Sequence, residues 1–85
     1  MEKIVAHSAY IARNILSLEL EGETKRAYDL KVQWAVWRDS LSTADRERCV
    51  WAYVAAQTSI SEGAMELLKE QKPDIYKIYK EVRGE

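Results

Sequence analysis

An all-α fold of three to four helices is the architecture this sequence predicts, and three observations carry it. Helix breakers are rare: Pro occurs once, at Pro73, and Gly three times. β-branched residues never gather into runs of strand length. Apolar residues recur at helical steps of three and four along most of the chain. Eighty-five residues make one domain, 1–85. A chain of this size buries only about 60% of its unfolded surface, so the fold is expected to be completed by oligomerisation.

The first helix is expected from Lys3 to Leu20. Ile4, Val5, Ala9, Ile11, Ala12, Ile15, Leu16, Leu18 and Leu20 cover about half its circumference, more than one neighbour requires. Two buried contacts are implied, one of them from another subunit. Tyr10 falls on the opposite, polar side with Lys3, His7 and Asn14.

Gly22 punctuates the chain, and a second helix is expected from about Glu23 to Leu41. Ala27, Leu30, Trp34, Trp37 and Leu41 alternate at three- and four-residue steps, a seam suited to packing on another helix. Ser42 with Asp45 three residues on marks the next helix start. That third helix is expected to run from Thr43 to about Gln71, and would span about 40 Å. Its apolar stripe is Cys49, Tyr53, Ala56, Ile60, Gly63 and Leu67, flanked by a row of small residues at Ala52, Ala56, Ser59 and Gly63. Trp51 projects from the other side, as a ligand platform or under a neighbour. Pro73 begins a short last helix carrying Ile75, Ile78, Tyr79 and Val82, and Gly84 ends it. A long antiparallel pair of helices is expected to dominate.

Composition narrows the function. Three Trp and five Tyr stand against one His and one Cys. Aromatic faces are plentiful and the usual catalytic side chains are scarce, which points to binding rather than catalysis. Thirteen basic and fourteen acidic side chains leave a net charge of −1, without the dominant basic field of a duplex DNA binder. A small anionic ligand held by a few local cations remains compatible. No signal peptide and no membrane span are expected, so a cytoplasmic location is the default. His7 has no companion ligands for a metal. Cys49 lies on the apolar stripe and reads as a buried small hydrophobe. No metal and no cofactor are expected.

Trp34 and Trp37 read as core at helical spacing. Lys25 and Arg26 follow Thr24 at a helix start, where backbone N–H groups also favour anions. Tyr10 and Lys25 suit a joint role, one stacking on a base and the other neutralising a phosphate.

The stretch Ala56-Gln57-Thr58-Ser59-Ile60-Ser61-Glu62-Gly63-Ala64-Met65-Glu66-Leu67, with Lys72-Pro73 downstream, resembles a segment of small phage proteins that sequester cyclic di- and trinucleotide signals of anti-phage defence. The shared pattern is Ala-x-Thr-x-(Leu/Ile)-x-x-Gly-(Phe/Ala)-Met-x-Leu followed by Pro. Gln57 stands where that family has Arg, and Ala64 where an aromatic is usual. The resemblance implies a helical homo-oligomer that holds its ligand between protomers. It places Tyr10 in base stacking, Lys25 at a phosphate and Thr58 in the matched segment. Arg26 and Trp51 join them as candidates by position. The competing expectation is a helical inhibitor or adaptor that presents Trp and Tyr anchors to a protein target.

Overall fold

The computed structural model describes residues 1–84, and these form five helices: α1 (Lys3–Leu20), α2 (Thr24–Asp39), α3 (Thr43–Gln57), α4 (Glu62–Gln71) and α5 (Pro73–Arg83). No strand occurs among the described residues. None of the helices is long and apolar enough to cross a membrane.

The ends of the elements follow local chemistry. The Glu2 carboxylate accepts the Ile4 N–H at 3.0 Å, while its other oxygen meets Arg48 on α3 at 3.1 Å. At the far end of α1, Gly22 takes φ 81°, and Gly22 and Glu23 donate to the carbonyls of Glu19 and Leu18. This is a Schellman close, and its left-handed residue favours glycine. The Ser42 hydroxyl accepts the Asp45 N–H at 3.3 Å and starts α3. Pro73 occupies the first turn of α5, and Gly84 closes it at φ 75°.

The expected helix from Thr43 to Gln71 is broken. The α3 helix ends at Gln57, Thr58 is extended at φ −149° and ψ 158°, and Ser61 caps a new helix by accepting the Ala64 N–H at 3.2 Å. Two causes combine. Thr58, Ser59 and Ser61 compete locally for backbone hydrogen bonds. The Tyr79 hydroxyl also accepts the Ile60 N–H at 2.8 Å, which holds the elbow against α5. The break lets α4 fold back onto α5 and bury Leu68. The molecule is therefore only 39 Å in its longest direction, no longer than the unbroken helix alone would be. Ser59 lies in the elbow and Gly63 beyond it, both exposed, so the expected row of small residues does not form one face.

The central element is α1, packed by α2, α3 and α5. The α1–α2 pair runs antiparallel, with Ser8 meeting Trp34 and Glu19 meeting Lys31. The α1–α3 pair runs parallel: Ser8 meets Cys49 and Ala12 meets Gln57. Ala9, Ala12, Ala52 and Ala55 are all fully buried, which lets helices approach closely. Most of the wide apolar face of α1 is packed from within the chain, by α2, α3 and α5, while Leu20 at its end stays 81% exposed.

Polar groups seal the interior. Ser8 is fully buried, donates to the Cys49 carbonyl at 2.6 Å, and accepts the Trp34 indole N–H at 3.0 Å. Arg13 donates to the Val82 carbonyl at 2.7 Å and Arg83 to the Ala55 carbonyl at 3.2 Å, closing the last turns of α5 and α3.

Candidate binding surface

Five side chains carry the binding expectation, and the fold distributes them over separate surfaces. Tyr10 is 65% exposed on the one side of α1 that no helix covers, and it makes no hydrogen bond among the described residues. Lys25 and Arg26 lie in the first turn of α2, exposed and without an ion pair among the described residues. That helix start has no side-chain cap, so its first N–H groups stay open to an anion. Arg26 also borders a shallow hollow of about 300 Å³ with Leu18, Asp29 and Leu30.

Trp51 is partly covered. It stands between two hollows, one of about 270 Å³ with Ile60, Ala64, Leu67 and Leu68, the other of about 280 Å³ with Thr43, Arg46 and Val50. The α4 elbow brings the first set there, so Trp51 is an apolar wall rather than an open platform. Thr58 is exposed at the end of α3, with its hydroxyl donating to the Ser59 carbonyl at 3.4 Å. Within one chain Trp51 and Thr58 belong to the α3–α4 side, and Lys25 and Arg26 to the start of α2.

Two features went unread in the sequence. A hollow of about 740 Å³ lies at the elbow and is lined by Ser59, Glu62, Met65, Glu66, Tyr76 and Lys80. The Tyr76 ring there carries the ammonium groups of Lys69 and Lys80, 5.8 and 5.6 Å from its centroid. Only the Tyr76–Lys80 spacing of four residues was a local sign; Lys69 arrives through the α4–α5 hairpin. His7 is the second feature. It sets its ring edge-on to Trp37, with centroids 4.7 Å apart, so it belongs to the α1–α2 seam.

Cys49 is fully buried beside Ser8. Burial pushes its thiol above the ordinary value, against smaller opposing effects from Ser8, Trp34 and Arg38. Burial likewise raises the Tyr53 phenol, opposed chiefly by Lys31. A folded-state pKa raised in an acid favours the protonated, native form. The stability each group contributes is present below its ordinary pKa and is lost as pH rises through the raised value. The fold is therefore expected to weaken in the alkaline range above the usual thiol pKa. A thiol reagent at pH 8 should label Cys49 only as fast as the chain opens. Labelling at the rate of a small free thiol would show that Cys49 is accessible.

Set against protein-family models, curated proteins and solved structures, the chain matches none of them.

Proposed function

We propose that this chain is a non-enzymatic binding protein that sequesters a cyclic di- or trinucleotide between protomers in the cytoplasm. The observation that carries this reading is the disposition of Tyr10, Lys25 and Arg26. An aromatic ring stands outside the core on α1, and two cations stand at the uncapped start of α2, none of them with a partner among the described residues. Rings supply stacking for bases, and cations with open N–H groups supply phosphate contacts. Tyr10 and Lys25 lie near the middle of α1 and the start of α2, so one ligand reaches both most simply across two chains. Thr58 and Trp51 then serve a different part of the surface.

A thermal-shift screen against cyclic di- and trinucleotides tests this directly. Ligand at about 100 times its Kd adds about 2.7 kcal/mol. For a domain of this size that raises Tm by roughly 10–20 °C. Tyr10→Ala should weaken affinity about tenfold or more, since stacking is worth about 1–3 kcal/mol per base. The same change should leave stability within about 0.5 kcal/mol, because Tyr10 is solvent-facing. No shift with any cyclic nucleotide would end the nucleotide reading.

One observation favours a second reading, an inhibitor or adaptor for a protein target. The two small hollows that meet at Trp51 are apolar and sized for a partner's side chain. Loss of partner binding in Trp51→Ala, with no response to nucleotides, would select it.

A further inference from the structure

The α2 helix carries a second, largely exposed seam that no other helix among the described residues packs against. On its inner side Ala27 and Trp34 are buried. On the opposite side Lys25, Tyr28, Val32, Ala35 and Asp39 follow at alternating steps of three and four, with Val36 beside Ala35. Tyr28 is 66%, Val32 44% and Val36 67% exposed. Polar and apolar residues are mixed around α2, so its apolar residues are not gathered on the inner side alone, unlike in α4 and α5.

We propose that the outer face of α2 is the contact between two copies of this chain, packed antiparallel about a two-fold axis at Val32. The seam is self-complementary when turned end for end. Val32 meets Val32 of the partner subunit, Tyr28 meets Val36 of the partner subunit, and Lys25 meets Asp39 of the partner subunit. An isologous contact requires this kind of symmetry.

Charge selects both the occupant and the direction. Lys25 sits at the positive end of its own helix dipole and Asp39 at the negative end, so each is badly placed within its own α2. In the antiparallel pair each lies at the favourable end of the other helix and opposite an unlike charge. Parallel pairing would set Lys25 against Lys25 and Asp39 against Asp39. Lys25 has no ion pair among the described residues; the Asp39 carboxylate pairs with its neighbour Arg38 at 3.0 Å, and Arg46 donates to its backbone carbonyl at 3.5 Å. The alternating spacing is that of helices crossing at about +20°.

With α2 only sixteen residues long, the contact is smaller than the roughly 800 Å² per partner of a stable interface. This pairing stands independently of the nucleotide reading. The two meet at Lys25, which in the dimer leaves Arg26 as the cation open to phosphate.

Cysteine cross-linking and a charge swap test it. Val32→Cys should give a disulfide-linked dimer under mild oxidation, because a residue on the two-fold axis faces its own copy. Leu20→Cys, more exposed and off the seam, is the background control. Lys25→Glu and Asp39→Lys should each weaken self-association about tenfold in sedimentation equilibrium, and the double variant should restore it. Arg26→Glu, which lies off the seam, should lower nucleotide affinity and leave self-association unchanged, so the two readings fail separately. Val32→Cys cross-linking no faster than Leu20→Cys, or a swap that fails to restore association, overturns the α2 contact in favour of another occupant.

Discussion

Trp34→Ala is expected to cost about 3–5 kcal/mol of folding free energy. Trp34 is 8% exposed and sits where α1, α2 and α3 converge. Its ring lies 4.2 Å from that of Tyr53, centroid to centroid, and Arg38 stacks over it at 4.9 Å. Its indole N–H supplies the only donor that the buried Ser8 oxygen receives from α2. Truncation removes all three contacts and leaves a void that neighbouring alanines cannot fill. A domain of this length has a total stability of about 4–13 kcal/mol, so the variant should lose a large share of it. Denaturant titration followed by circular dichroism measures it. A loss under 1 kcal/mol would mean that the α1–α2–α3 junction repacks. Tyr10→Ala is the matched control, an aromatic of similar size removed from the open side of the same helix.

Tyr79→Ala is expected to be nearly as damaging, at about 3–5 kcal/mol, and Tyr79→Phe separates its two roles. The ring is only 2% exposed and packs with Val5, Ala55 and Ile75. The hydroxyl accepts the Ile60 N–H at the elbow. Phe keeps the packing and orphans that donor, a loss of about 1–3 kcal/mol. Because the bond holds the break between α3 and α4, hydrogen exchange at Ile60 should quicken more than exchange within α1. Unchanged protection at Ile60 in Tyr79→Phe would show that the elbow is held by packing alone.

Much of the helical frame is legible in the chain itself. Gly22 and Gly84 close helices in left-handed turns, Ser42 caps one and Pro73 opens one. Each signal acts within about one turn of its own position, and local steric and hydrogen-bond rules suffice to read it. The seam of Ala27, Leu30, Trp34 and Trp37 is legible for the same reason: a regular helix puts spaced residues on one side. Tyr10 is exposed for the complementary reason, since its place on the polar side depends only on the period of α1.

The elbow at Thr58–Ser61 was not legible, because helical spacing runs through it without interruption. What decides it is a hydroxyl nineteen residues away and the burial of Leu68 under a helix that has to fold back first. The role of Trp51 followed from that same event: whether its ring meets water or α4 depends on where α4 lies. The α1 face, too wide for one neighbour, called for a second, but only packing could show that α3 and α5 of the same chain provide it. By itself, then, the sequence determined the helical class, the caps at four helix ends and the exposure of Tyr10, all consequences of interactions within a few residues. The tertiary structure alone decided the α3–α4 break, the covering of α1 and Trp51, and the bare outer side of α2, because each depends on contacts between residues far apart in the chain.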